Sequence, residues 1–203
     1  MKRKEHWDAV YRTQNGAEIG WFESEPATSL RFIEAAALGP AARILDVGAG
    51  TSMLVDSLLE RGCRNVGVLD VSPAALELSR IRLGDRAPEV EWFVGDVTEF
   101  RSPHTWDLWH DRAMFHFLTE MSDRQAYRET LGHALAPGGQ VVIATYGPEG
   151  PTRCSGLDVR RYDSASLQGW LGDEFQLVQD ELVDHTTPGG VVQQYLFTRF
   201  RRS

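Results

Sequence analysis

The 203 residues suffice for one α/β core with an extension and are too few for two full domains. With 42% hydrophobic and 25% charged residues, and no apolar run long enough to cross a bilayer, the composition is that of a soluble globular protein with no membrane insertion. A formal charge of −8 argues against a surface for nucleic acid, and Arg199, Arg201 and Arg202 make only a short cluster, read as a solvated tail.

Met1-Lys2-Arg3-Lys4 leads into Glu5-His6-Trp7-Asp8 where a secretory leader would need an apolar run, so a cytoplasmic protein is expected. Cys63 and Cys154 are too few for a disulfide framework and lack metal-ligand spacing. An aromatic-rich segment from Trp7 to Phe22 and a helix from about Thr28 to Leu38, stopped by Gly39-Pro40, read as a lid over residues 1–40 that belongs to the same domain as residues 41–203.

Strand-like and helical runs then alternate, the signature of a mostly parallel sheet covered on both faces. Arg43 to Val47, Asn65 to Leu69, Val90 to Val94, Trp106 to His110 and Gln140 to Tyr146 read as strands. The intervening helices are expected over Thr51 to Arg61, Pro73 to Leu83 and Ser122 to Leu135, the last begun by Ser122 with Gln125 at capping-box spacing. A further helix is expected near Ser164. Glu174 to Val183 and Val191 to Arg199 flank Pro188-Gly189-Gly190 and predict a closing antiparallel hairpin.

The first strand runs into Asp46-Val47-Gly48-Ala49-Gly50-Thr51-Ser52, a glycine turn whose backbone a ligand can approach closely. Dinucleotides and S-adenosylmethionine (SAM) both suit such a turn. Met53 stands where tight helix packing against a diphosphate requires Gly or Ala, which argues against a nicotinamide oxidoreductase. Asp46 would repel a diphosphate and attract the ammonium and sulfonium of SAM. Asp70, with Val71 after it, ends the second strand where a carboxylate accepts ribose hydroxyls; Asp96 and Val97 follow the third, suited to an adenine amino group and ring.

The runs LDVGAGTS, LDVSPAAL, GDVTEF and LAPGGQVVIATY resemble the successive motifs of class I SAM-dependent methyltransferases, over about Arg43 to Tyr146. The resemblance implies a Rossmann-like, seven-stranded, mostly parallel sheet with its last strand antiparallel, helices on both faces, and SAM over the first strand ends. Ser52 departs from it, where many members carry a third glycine. His6 to Tyr11 with Gly20-Trp21-Phe22 resembles the leader of thiopurine-methyltransferase-like enzymes and of some protein-lysine methyltransferases, which implies Trp7, Tyr11 and Trp21 closing over the cofactor.

Methyl transfer asks the protein to orient the acceptor, exclude water and deprotonate where needed. His110 to Leu118 is read as a loop after the fourth strand and the wall of the acceptor site: His110 or His116 as general base, Arg112 on a carboxylate, Asp111 towards the cofactor. Trp21, Phe22, Phe115 and Cys154 complete the expected acceptor contacts, and no metal is expected because His110, Asp111 and His116 lack ligand spacing. The reading is methyl transfer to a small molecule by a monomer or homodimer. A protein-lysine methyltransferase and a non-catalytic SAM-binding module are the alternatives.

Overall fold

Seven strands lie in one sheet with helices on both faces, a Rossmann-like arrangement, in the computed structural model, which describes residues 3–13 and 19–203. Residues 14–18 of the expected lid lie outside the described residues. In chain order the elements are α1 (Arg3–Thr13), α2 (Ala27–Glu34), β1 (Arg43–Val47), α3 (Leu54–Glu60), β2 (Asn65–Asp70) and α4 (Pro73–Leu83). They continue with β3 (Val90–Val94), β4 (Trp106–Arg112), α5 (Met121–Ala134), β5 (Leu135–Tyr146), the two-residue strands β6 (Arg153–Cys154) and β7 (Leu157–Asp158), α6 (Ser164–Leu171), β8 (Phe175–Thr186) and β9 (Val192–Arg202). The order across the sheet is β3-β2-β1-β4-β5-β9-β8, parallel from β3 to β5, with β9 antiparallel to both neighbours.

Period-2 alternation sorts each central strand's side chains between two cores. Ile44, Val66, Leu108 and Val142 meet α2 and α3 on one face, where Phe32, Leu54 and Leu58 pack. Leu45, Val47, Trp109, Val141 and Ile143 meet α5 and α6 on the other, with Tyr127, Leu131 and Leu167. The same alternation turns His110 towards α2 and Asp111 towards α5.

Several boundaries differ from the sequence expectation. β4 runs to Arg112, two residues past His110, because His110 and Asp111 find buried partners on opposite faces and need not leave the sheet. α5 begins after Glu120 with no side-chain cap, so Ser122 and Gln125 form no capping box. β5 starts at Leu135 and absorbs Pro137-Gly138-Gly139 as an irregularity in its pairing with β4. α2 ends at Glu34, α3 spans less than the expected helix, and β6 with β7 adds a small hairpin in a stretch expected to be irregular. No helix among the described residues is long and apolar enough to cross a membrane.

Candidate cofactor and methyl-transfer site

A cavity runs along the carboxyl ends of β3, β2, β1 and β4 in that spatial order, as open α/β sheets favour. Its floor is Gly95, Asp96 and Val97 after β3, Leu69, Asp70 and Val71 at β2, and Gly48 after β1. Arg112, Ala113, Met114, Phe117 and Leu118 wall it beyond β4, and Arg3, Trp7, Tyr11 and Trp21 cover it.

The glycine turn holds its shape by local bonds. Gly48 and Gly50 adopt φ of 63° and 54°, and the Gly48 N–H donates to the Leu69 carbonyl at 2.8 Å. A Cβ on Gly48 would strike Met114, and one on Gly50 would strike the Tyr11 hydroxyl, so both positions demand glycine on two counts. Asp70 spans the two halves of the turn: one oxygen accepts the Gly50 N–H and the other the Ser72 N–H, each at 2.8 Å. Each oxygen keeps a lone pair for a hydroxyl donor. Burial pushes the Asp70 carboxyl up to about 6 against those bonds.

Asp96 sits at the far end, held below the usual carboxylate range: burial opposes this, but bonds from the Thr98 N–H and hydroxyl and from Arg3 outweigh it. The Arg3 guanidinium donates to Asp96 at 2.9 Å and also pairs with Asp123, tying α1 to the β3 turn. Asp8 accepts the Ser72 hydroxyl at 2.6 Å and so fixes α1 to the head of α4. Between these ties Trp7, Tyr11, Trp21 and Phe117 meet edge to face or tilted, Trp7 lying 4.9 Å from Phe117 and 5.8 Å from Trp21.

At the β4 end, Ala113 carries a φ of 64°, a strained value for a residue with a Cβ, and its N–H donates to the Ala144 carbonyl. That bend turns Met114 over Gly48. Arg112, mostly buried, donates from Nη1 to the Trp21 carbonyl at 2.8 Å, and its Nη2 lies 2.8 Å from Glu23 as an ion pair without hydrogen-bond alignment.

The sequence-predicted residues fall into three groups. Trp7, Tyr11, Trp21, Gly48, Asp70, Val71, Asp96, Val97 and Arg112 share the cavity wall. Asp46, Ala49, Gly50, His110, Asp111 and His116 lie behind it. Asp46 and His110 are neighbours in register on β1 and β4; Nδ1 of His110 donates to Asp46 at 2.7 Å, and Nε2 lies 2.9 Å from Ser29 Oγ on α2. Asp111 accepts the Tyr127 hydroxyl and the Met114 and Phe115 N–H groups, and burial pushes it up to about 7. His116 is fully buried, stacked on Tyr146, with Nδ1 accepting the Tyr146 N–H; burial, then the nearby Arg112 charge, holds it at about 3. Neither histidine, expected as a base on a loop, reaches the cavity, since one is consumed by a cross-strand pair and the other by the core.

The third group is scattered. Phe115 packs in the α5 core, Phe22 lines a small cleft with Glu23 and Arg112, and Cys154 lines a polar cleft with Tyr146 and Gln193 on the other side of Trp21. Arg3, Met114, Glu23 and His185 were not singled out by sequence. No local pattern marks them, because each acts through a partner many residues away.

Residues 44–139 match the methyltransferase domain family. That stretch, just under half of the chain, is thus similar to a methyltransferase domain. Nodulation protein S of Rhizobium tropici is 30% identical to it over 109 residues, 54% of this chain and 45% of that protein. EEF1A lysine methyltransferase 2 of Danio rerio is 29% identical over 160 residues, 70% of this chain and 67% of that protein. The chain thus spans under half of the rhizobial relative and two thirds of the zebrafish one. Among solved structures, 1,6-didemethyltoxoflavin-N1-methyltransferase of Burkholderia thailandensis, with bound 1,6-didemethyltoxoflavin and S-adenosylhomocysteine, superimposes with a TM-score of 0.73 at 21% identity, covering 98% of this chain and 87% of that one. The chain therefore shares its fold with that N1-methyltransferase.

The donor set of the cavity suits SAM. Gly48 brings its backbone to the cavity floor in left-handed conformation, Asp70 and Asp96 offer carboxylate oxygens, and the aromatic cover is apolar.

Proposed function

We propose that the protein binds SAM along the β3-to-β4 cavity and transfers its methyl group to a small-molecule nucleophile. The observation that carries this reading is the single cavity in which Asp96, Asp70 and the glycine turn succeed one another and end at Trp21 and Arg112. SAM supplies a methyl carbon already activated by a sulfonium, open to in-line displacement. Asp96 and Val97 receive the adenine, Asp70 the ribose hydroxyls, and the turn from Gly48 to Gly50 the methionine portion, with Asp46 buried below it. Trp7, Tyr11 and Trp21 exclude water, and Arg112 orients a carboxylate at the transfer end.

Among the described residues no histidine lines this cavity. The residues at its transfer end orient rather than deprotonate, which matches an acceptor whose attacking atom is free of its proton before transfer; His110 then serves by holding Asp46. Small acceptors with a thiol or amine, incubated with labelled SAM, test the reading: label must move to one of them, and Arg112→Ala must slow that transfer more than His116→Phe does. Saturable SAM binding with no transfer to any acceptor would favour a binding module.

The zebrafish relative favours a second reading, transfer to a protein lysine. Label appearing in elongation factor 1A and in no small molecule would decide for it.

A further inference from the structure

The segment that covers the transfer end is held by two basic side chains on separate strands. From β4, Arg112 donates to the Trp21 carbonyl and pairs with Glu23. From β8, His185 donates from Nε2 to the Gly20 carbonyl at 2.8 Å and turns Nδ1 to the same Glu23 oxygen at 3.4 Å. Both ring nitrogens of His185 thus face acceptors, the arrangement that the imidazolium satisfies and the neutral ring does not.

Glu23 is therefore shared between Arg112 and His185. Burial alone would raise its carboxyl, but the His185 and Arg112 contacts outweigh burial and hold it below the ordinary value. Tyr195, beneath, presents its ring to both: 5.2 Å from the Arg112 guanidinium and edge-on to His185 at 5.9 Å. The other charge on this stretch of β8, Asp184, is exposed and lies on the neighbouring position. Trp21, which this clamp carries, lines the cofactor cavity and the polar cleft beyond it.

We propose that Glu23 and His185 are positioning residues of the methyl-transfer site, forming with Arg112 a charged clamp that holds Gly20 to Glu23, and with them Trp21, over the transfer end, and that the clamp loosens when His185 gives up its proton. The proposal rests on the reading of the cavity as the cofactor site. Protonated, His185 supplies charge-assisted bonds to the segment; neutral, it keeps one proton for two acceptors and leaves Glu23 to Arg112 alone.

Calorimetry of S-adenosylhomocysteine binding tests this for the whole chain, its His185→Gln and its Glu23→Gln variants across roughly pH 5 to 8, where histidines as a class exchange protons. Taking the ratio of wild-type to variant affinity cancels every other titrating group. For His185→Gln the ratio is expected to fall from about tenfold at the acid end to near one at the alkaline end, the size of one charged hydrogen bond. A residue that merely props up the fold would give a ratio indifferent to pH. Binding with a flat ratio for both variants overturns the clamp and leaves the cofactor reading intact. No binding by the wild type at any pH overturns the cofactor reading and the clamp with it. If the variants fail to fold, wild-type hydrogen exchange decides: protection of the Phe22 amide relative to β1 must fall over the same span, and unchanged protection overturns the proposal.

Discussion

The two ends of the cavity are built differently. At the proposed nucleoside end, the turns are shaped by bonds within or between adjacent turns, Asp70 to Ser72, Asp96 to Thr98 and Gly48 to Leu69, and the long-range tie from Arg3 to Asp96 belongs to the α1 cover. At the transfer end, the bonds join Arg112 to Trp21 and His185 to Gly20, partners 91 and 165 positions apart. A ligand common to a whole class is held by turns a short motif can encode. The part that meets the individual acceptor depends on contacts the fold alone creates.

Beneath the boundary between the two ends lies the Asp46–His110 pair, and breaking it should give the largest effect. His110→Ala would leave the buried Asp46 carboxylate without its hydrogen-bond donor and is expected to cost about 3 kcal/mol or more in denaturant unfolding. A loss below about 1 kcal/mol would mean that Asp46 finds another partner. Next, Asp70→Ala should weaken S-adenosylhomocysteine by about 1.5 to 3 kcal/mol. Its raised carboxyl favours the protonated form in the free protein, so its contribution to stability is present at low pH and lost as pH rises through about 6. Ribose hydroxyls need the ionised form. The ratio of wild-type to Asp70→Asn affinity should therefore rise through about pH 6.

Gly50→Ala sharpens the comparison from the lid side. A side chain at positive φ costs about 1 to 3 kcal/mol, and this one must also displace the Tyr11 hydroxyl. Hydrogen exchange across α1 should rise while the sheet stays protected; an unchanged α1 would detach Tyr11 from the turn. The smallest effect is expected from Arg3→Ala. Its ion pair with Asp96 is about a third exposed on the arginine side, so it should lose no more than about 1 kcal/mol of stability, and that loss should vanish in high salt.

The sheet was legible because its strands alternate with amphipathic helices and because Gly, Pro and Asp mark the turns, from Asp46-Val47-Gly48 to Pro188-Gly189-Gly190. What failed to read were polar residues that behave as core. His110-Asp111-Arg112 has the composition of a loop, yet the strand carries it because Asp46, Ser29 and Tyr127 wait on either face. The histidines were legible as chemistry and illegible as location, since only the register of β1 against β4 shows where His110 turns. Glu23 and His185 carried no signal at all, being ordinary polar residues in a turn and at the end of an edge strand.

β9 lies between β5 and β8, although β8 precedes it in the chain. Among the described residues β8 pairs with β9 alone in the large sheet, so it joins the sheet only through β9, which pairs with β5. The β5–β9 pairing that closes the sheet is a contact of high sequence separation, the kind that carries a large loop-closure cost. His185 rides on the outermost strand, so the clamp at the transfer end depends on the β8–β9 hairpin being seated, whereas the pocket floor rests on β1 to β3.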